Sequence, residues 1–169
     1  MNKTNKRWIS LYVENQIGVL AKISGLFSGK SYNLDSLTVG VTEDPTISRM
    51  TIGVTSDDIT FEQIKKQLNR SIEVIKVVDF TDTPINMKEI LFVKVNSCSE
   101  KDKEEIFRIA QVFQIKIIDY NKNTVLLECV NTELKNNDVI NLLNNSFINR
   151  IEVVRGGSVA IESISMTDR

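Results

Sequence analysis

The sequence predicts an α+β protein in which two small domains follow one another along the chain. Three observations lead to this prediction. Apolar residues alternate with other residues in several short segments, as they do in half-buried strands. Between these segments, apolar residues recur at the spacing of an amphipathic helix. The order strand, helix, strand, strand, helix, strand occurs twice, and a polar stretch with a proline separates the two occurrences.

The first strand and the first helix open the first half. The segment WISLYVE predicts a strand, because Ile9, Leu11 and Val13 lie at alternate positions and share one face. From Gly18 onward the apolar spacing becomes helical, so we expect the first helix to begin there. The core stripe predicted for this helix consists of Leu20, Ile23, Leu26 and Phe27.

Three strands and a second helix complete the first half. LDSLTVGV and ISRMTIGVT predict the second and third strands, and Pro45 marks the turn between them. The polar segment SDDIT offers side chains that cap a helix, and VIKVVDF predicts the fourth strand. The apolar residues of the third strand and second helix that we expect in the core are Met50, Ile52, Val54, Phe61, Ile64 and Leu68.

The polar stretch TDTPIN marks the domain boundary. We expect a first domain over residues 1–81, a linker over 82–87 and a second domain over 88–169. In the second half KEILFVKV, IKIIDY and TVLLECV predict strands, and the last two are joined by a hairpin turn. EKDKEEIFRIAQVF and residues 134–143 predict helices, and INRIEVVR and SVAIESI predict two closing strands. The apolar face of the first of these helices consists of Ile106, Ile109, Ala110 and Phe113.

This element order is that of the ferredoxin-like fold, so the fold class that we predict is α+β with two tandem ferredoxin-like (βαββαβ) domains. Each half has about 80 residues, near the lower limit for a domain that is stable alone. Such domains gain stability when sheet edges pair, and two-fold dimers are the commonest oligomers. We therefore expect a homodimer.

The charge of the chain argues against a nucleic-acid binder. Its 169 residues include 21 basic and 22 acidic side chains, for a formal net charge of −1. Proteins that bind phosphate backbones carry a clear basic excess. An RNA-binding ferredoxin-like domain would also interleave aromatic and basic residues on its central strands, and ISRMTIGVT and TVLLECV do not.

The absence of histidine excludes several kinds of enzyme and metal site. Neither a Ser-His-Asp triad nor a Cys-His pair can form. Cys98 and Cys129 show no metal-ligand spacing, and no paired constellation of carboxylates or lysines indicates an enzyme. We expect no catalytic residue and no metal on this chain. With neither a signal peptide nor an apolar run of membrane-spanning length, we expect a cytoplasmic protein without membrane contact.

The segment NQIGVLAKI indicates a small-molecule site. Gly18 lies where the first strand passes into the first helix, and a helix N-terminus presents unpaired N–H groups that attract carboxylates. Glycine lets a ligand approach the backbone, and the side-chain amides of Asn15 and Asn33 can bind both charged ends of an amino acid. A glycine here also serves plain turn geometry, and Asn15 can cap the helix. Spacing alone leaves these interpretations open.

Longer motifs show which family the chain resembles. The first half contains, in order, the elements EN..GVL..I.GLFS, YN..SLTV, TEDP..SRMTI, EQIKKQL and VIKV.D. Together they resemble the start of acetolactate synthase (acetohydroxyacid synthase) small regulatory subunits. The first half therefore resembles an ACT domain, the amino-acid-sensing version of the ferredoxin-like fold. The second half resembles the family more loosely, in KEILFVKV, FQIKIIDY and IEVVRGGSVAIE.

The resemblance implies a regulatory subunit without catalytic chemistry of its own. Such a subunit binds the large catalytic subunit of acetolactate synthase, raises its activity and confers feedback inhibition in branched-chain amino acid synthesis, commonly by valine. Thiamine diphosphate, Mg2+ and usually FAD then belong to the catalytic partner, which joins two 2-oxo acids with release of CO2. None of these cofactors is expected on this chain. The alternative is a free-standing ACT-domain amino-acid sensor that acts on a different partner.

The resemblance also implies an effector site shared by two ACT domains of a dimer. The first strand–helix turn of one chain and the segment before the second strand of the other form its walls. Carried over to this chain, the effector-binding residues are Asn15, Gln16, Ile17, Gly18, Val19 and Leu20 in the first wall and Asn33, Leu34 and Asp35 in the second. In this hypothesis the N–H groups from Gly18 to Leu20 hold the effector carboxylate. Asn15 and Asn33 help to hold its polar ends, and Val19, Leu20 and Leu34 shape the apolar part.

Overall fold

A computed structural model of the chain describes residues 4–29 and 32–164. The described residues form eight strands and four helices: β1 Asn5–Glu14, α1 Val19–Ser28, β2 Ser36–Val41, β3 Ile47–Ser56, α2 Asp58–Leu68, β4 Val74–Asp79, β5 Ile85–Val95, α3 Glu100–Phe113, β6 Lys116–Tyr120, β7 Val125–Asn131, α4 Glu133–Ser146 and β8 Ile151–Glu162. None of these four helices has both the length and the apolar character needed to cross a membrane.

The strands form two four-stranded sheets, ordered β2-β3-β1-β4 and β6-β7-β5-β8. Each order is that of a ferredoxin-like domain, so the predicted fold class is confirmed. We call the elements from β1 to β4 the first repeat and those from β5 to β8 the second repeat. The chain also divides into two compact units, and one of them is Met87–Ser158. The other holds the described residues up to Asn86 and from Val159 onward.

The core of the first repeat follows from strand alternation. Ile9, Leu11 and Val13 are fully buried on one face, and the antiparallel register places Ile9 opposite Ile52 and Leu11 opposite Met50. Helices α1 and α2 pack on this face. Their buried residues are Val19, Ile23, Phe27, Phe61, Ile64 and Leu68. Burial of each large apolar side chain contributes about 1.5–3 kcal/mol, so the alternating pattern determines which face the helices cover.

The second repeat has a core of the same design. Val93 lies opposite Leu127 and Leu91 opposite Cys129 in the antiparallel pairing of β5 with β7. Helices α3 and α4 contribute Ile106, Ile109, Ala110, Val139 and Leu143 to the same cluster. These helices begin at side-chain caps, as polar residues before an apolar helical stripe predict. Ser99 caps α3, and Thr132 caps α4.

Two residues of the predicted apolar helix faces lie outside the cores. Leu20 is 44% exposed, whereas Val19 is only 4% exposed and belongs to the core. The reason is that α1 begins at Val19, so its buried stripe runs through Ile23 and Phe27 at intervals of four residues. Phe113 is also 44% exposed, because it is the last residue of α3 and lies beyond the packed part of that helix.

The predicted pair of closing strands is wrong, because β8 is one continuous strand through Gly156 and Gly157. The glycine at position 156 is explained by close packing within the strand and does not mark the end of a strand. A Cβ on Gly156 would lie 2.5 Å from the Cγ2 atom of Ile90, so only glycine fits against that side chain. Strand β5 begins at Ile85, inside the segment that the sequence assigns to a linker.

Candidate functional site

The turn between β1 and α1 is built around a left-handed glycine. Gly18 is the N-cap residue of α1, with φ 89° and ψ −11°, and no side chain caps the helix. The N–H of Val19 makes a long bond of 3.3 Å to the carbonyl of Gln16, and the first helical bond joins Lys22 N to Gly18 O at 2.9 Å. The first amides of a helix have no partner within it. This turn therefore presents N–H donors and the positive end of the helix dipole.

The backbone of Gly18 explains the choice of glycine. Residues with a Cβ are strained at φ near +90°, so the turn geometry alone requires glycine. A Cβ built on Gly18 would nevertheless meet no atom of the described chain within 4 Å. The turn thus needs glycine for its conformation, and the space beside the glycine is open to a ligand.

Asn15 fixes this turn to the turn between β2 and β3. Its backbone N–H donates to the carbonyl of Thr46 at 2.7 Å, and its side-chain Nδ2 donates to the carbonyl of Pro45 at 2.9 Å. Its Oδ1 atom accepts a bond of 3.0 Å from the hydroxyl of Ser48. The interpretation of Asn15 as a helix cap is wrong. Its side chain points to a neighbouring turn and holds the segment before Gly18 in place.

The apolar residues of the turn divide between core and solvent. Ile17 is fully exposed, and Leu20 is partly exposed on the first turn of α1. The side chain of Val19 belongs to the core, so Val19 can offer a ligand only its backbone. Gln16 is exposed. Single exposed apolar side chains are common on protein surfaces, so the exposure of Ile17 does not by itself indicate a contact.

The segment before β2 forms a second polar turn. The side-chain amide of Asn33 donates to Oδ1 of Asp35 at 3.0 Å, and the hydroxyl of Thr55 donates to Oδ2 of Asp35 at 2.6 Å. The N–H of Asp35 is bonded to the carbonyl of Gly53 at 2.9 Å. Leu34 is partly buried against the core of the first repeat. Asp35 therefore anchors the turn to β3, while Asn33 stays exposed.

A single chain does not bring the two predicted walls together. Residues 15–20 lie at the start of α1, and residues 33–35 lie after its end. The helix is 10 residues long, which corresponds to about 15 Å. One small amino acid cannot bridge that distance, so a site made of both walls needs a second copy of the chain.

Titratable groups elsewhere give no sign of catalytic chemistry. Lys22 pairs with Glu73, and its hydrogen bond lowers the pKa of that carboxyl. Burial raises the pKa of the Cys129 thiol to about 11 and also raises the pKa of Cys98, so both thiols stay protonated and unreactive at neutral pH. Within residues 4–29 and 32–164, no group of three or more His, Cys, Asp or Glu residues could hold a metal.

Sequence reasoning missed the partners that position Asn15. Thr46, Pro45 and Ser48 lie about 30 residues away, and they reach Asn15 only through the pairing of β1 with β3. The register that places Glu14 opposite Ile47 could have revealed them, because it puts both turns at the same end of the sheet.

Comparison with known proteins gives a consistent result over nearly the whole chain. A family model for the AHAS small subunit-like ACT domain matches residues 9–76, and a model for the small subunit of acetolactate synthase matches residues 88–164. The acetolactate synthase small subunit of Aquifex aeolicus is 41% identical over 159 residues, which cover 94% of this chain and 82% of that protein. The corresponding subunit of Haemophilus influenzae is 35% identical over 156 residues, covering 92% and 94%. The crystal structure of the Thermotoga maritima small subunit superimposes with a TM-score of 0.83 at 34% identity, covering 94% and 98%.

Proposed function

This chain belongs to the family of acetolactate synthase small subunits, and from that premise we propose that it raises the activity of the catalytic subunit and makes it sensitive to valine or a related branched-chain amino acid. Membership makes it a regulatory, non-catalytic subunit of the holoenzyme. The name of the family implies association with a large catalytic subunit. Thiamine diphosphate, Mg2+ and FAD belong to that partner in our proposal.

The match over the second repeat favours this function over a free-standing sensor. An ACT domain alone occurs in many regulatory settings. Here a family model specific to acetolactate synthase small subunits covers residues 88–164 as well. The two matched segments also support the domain limits that we propose, 1–81 and 88–169 with a linker over 82–87.

We place the effector between two copies of the first repeat. In this proposal the N–H groups from Gly18 to Leu20 of one chain bind the effector carboxylate, and Asn33 of the second chain binds its ammonium group. The observation that carries the proposal is the uncapped start of α1 with open space beside Gly18. The remaining lining residues are Asn15, Gln16, Ile17, Leu34 and Asp35.

The shared site explains how an effector could change activity. A ligand held by two chains binds only the assembled pair, so it favours one arrangement of the dimer over others. If the catalytic subunit recognises the other arrangement better, the effector lowers activity. The coupling free energy in such systems is about 1–3 kcal/mol, which corresponds to a change in apparent affinity of about 5- to 150-fold.

The test compares Gly18→Asp with Gly18→Asn in the reconstituted holoenzyme. Aspartate and asparagine have similar shapes and both tolerate left-handed backbone better than other residues with a Cβ, so they share the strain at this turn. Only aspartate places a negative charge against the effector carboxylate. We expect both variants to activate the catalytic subunit, and valine inhibition to be weaker in Gly18→Asp than in Gly18→Asn by at least tenfold in effector concentration.

Full valine sensitivity of Gly18→Asp would overturn the site. Equal valine inhibition of the two variants would also contradict the assignment, because the added charge would then have no effect. Calorimetric titration of valine into each variant checks that the effect arises in binding.

A further inference from the structure

The second repeat contains a cleft that the proposed function does not use. It has a volume of about 630 Å3 and lies between the end of α3, the end of β7, the start of α4 and Lys88 in the first half of β5. Volumes of 300–1,000 Å3 are typical of small-molecule sites. All of its lining residues belong to the unit Met87–Ser158.

Positive charge distinguishes this cleft. Lys88 and Lys135 both line it, and neither ammonium group forms an ion pair with another residue in the described part of the chain. Lys135 lies three residues after the N-cap Thr132, where the positive end of the α4 dipole adds to its charge. Asp138 is the single carboxylate of the lining. Two cations against one carboxylate leave the described lining with a net positive charge.

Apolar side chains form the rest of the cleft. Val112, Phe113 and Val130 line it and are exposed to solvent, and Val139 forms part of its floor from the core side. Phe113 belongs to the predicted apolar face of α3 but lies outside the core. Three exposed apolar side chains beside two unpaired ammonium groups match a ligand that has an anionic end and a short apolar chain.

The first repeat has a cleft at the equivalent place, lined by different residues. The strand register shows that Thr4 and Lys88 occupy equivalent positions. Thr4 lies one residue before Asn5, which pairs with Ser56, and Lys88 lies one residue before Glu89, which pairs with Asn131. Thr60 lies three residues after the α2 N-cap, as Lys135 does after the α4 N-cap. Thr4, Ser56 and Thr60 line a cleft of about 400 Å3.

Thr4 and Thr60 of the first repeat thus hold the places of Lys88 and Lys135 in the second. The fold itself does not require the lysines, because the first repeat forms the cleft without them. Within the described residues neither lysine forms an ion pair, so both exposed ammonium groups are available to a ligand.

We propose that the cleft lined by Lys88, Lys135 and Phe113 binds a small organic acid, with its carboxylate between the two ammonium groups and its apolar chain against Phe113, Val112 and Val130. This site is separate from the effector site at Gly18 and does not depend on it. Asp138 disfavours a more highly charged ligand such as a phosphate dianion, because like charges repel across the cleft.

The test uses 3-methylbutanoate and its neutral amide as matched probes. Titration of each into the full-length protein is followed by two-dimensional 1H–15N NMR. We expect saturable shifts for the acid at residues 112–114 and 130–139, without comparable shifts at residues 15–20. The amide should bind at least tenfold more weakly, because a bond to a charged partner is worth more than one to a neutral group.

Variants then assign the charge. Lys88→Gln together with Lys135→Gln should weaken binding of the acid at least tenfold, whereas the control Lys122→Gln, on the exposed turn after β6, should leave it unchanged. Gly18→Asp should also leave it unchanged, which separates this site from the effector site. Absence of saturable shifts, equal binding of the amide, or unchanged binding by the double variant would each overturn the proposal.

Discussion

The first helices of the two repeats begin in opposite ways. The N-cap residue of α1 is Gly18, and the helix has no capping side chain and no acidic residue in its first turn. Helix α3 begins at Ser99 with a capping box, in which the carboxylate of Asp102 accepts from the N–H of Ser99 at 2.8 Å. The second repeat supplies from its own sequence the carboxylate that the first repeat lacks. In the same fold, the N–H groups at the start of the first helix can therefore be bound by a side chain of the chain itself or left free for a ligand.

The closed helix start is reinforced from the far end of the repeat. Arg150 donates to the two carboxylate oxygens of Asp102 at 3.0 and 3.4 Å. The guanidinium of Arg150 and the bonds from Ser99 hold the pKa of Asp102 well below its usual range. A ligand carboxylate at this place would have to displace Asp102 from its bonds with Ser99 and Arg150. The comparison therefore explains why we place the effector at the first repeat alone.

The largest effect on the free energy of unfolding is expected at Glu89, a buried carboxylate of the second repeat. Glu89 is only 4% exposed and pairs with Arg155, while Asn136 donates to both its carboxylate and its carbonyl. At the place of Asn136, four residues after the helix N-cap, the first repeat has Phe61. Arg155→Ala removes the cation from a buried carboxylate, so we expect a loss of roughly 2–3 kcal/mol in the free energy of unfolding.

Hydrogen exchange measured separately in each repeat checks this prediction. The matched control is Arg7→Ala. Arg7 lies 4.8 Å over the ring of Phe61 and pairs with Asp58, whose side chain is 83% exposed, so its removal leaves no buried charge unpaired. We expect its effect to stay below about 1 kcal/mol. Equal losses for the two variants would show that the repeats do not differ in this respect.

A smaller effect is expected from opening the closed helix start. Asp102→Asn removes the charge of the capping box, and we expect a loss of about 1 kcal/mol at neutral pH. The folded pKa of Asp102 is lowered, so its stabilising contribution is present above the unfolded pKa of about 3.9 and decreases as the pH falls below it. Urea unfolding from pH 7 to pH 3 should therefore show a difference between wild type and Asp102→Asn that shrinks toward acid. A difference independent of pH would contradict this explanation.

The smallest effect on stability is expected from closing the open helix start. Ala21 is the third residue of α1, the position that Asp102 has in α3. Ala21→Asp places a carboxylate at the free N–H groups, so we expect a gain of about 0.5 kcal/mol. If the effector carboxylate binds there, as we propose, the new carboxylate competes with it, and valine inhibition of the holoenzyme should weaken as well. Ala21→Asn is the control, and equal valine inhibition of the two variants would contradict the competition.

Much of the fold could be predicted from the sequence, because strand alternation and helical spacing report directly on burial. The alternation of Ile9, Leu11 and Val13 predicted a buried face that the structure confirms. The error at Leu20 arose because the apolar stripe of a short helix depends on its first residue, and Gly18 sets that residue through its backbone conformation. The break predicted within β8 failed because a glycine in a strand can mark close packing, here against Ile90, as well as a turn.

The candidate site could be predicted only in part. Glycine at a strand–helix junction indicates an open helix start, and the motifs around it identify the family. The bonds of Asn15 to Pro45 and Ser48 depend on the register of distant strands, which no local pattern shows. The cleft beside Lys88 and Lys135 was missed for the same reason, since its residues come from four separate elements.

The left-handed backbone at Gly18 has a consequence for how regulation can be lost in a growing population. Every amino acid that a single base change in a glycine codon can introduce carries a Cβ, and an acidic residue, aspartate or glutamate according to the codon, is among them. Asparagine, which tolerates this backbone without adding charge, needs two base changes. If the effector binds at this turn, selection for growth on a toxic valine analogue should recover substitutions of Gly18 repeatedly and in a single step.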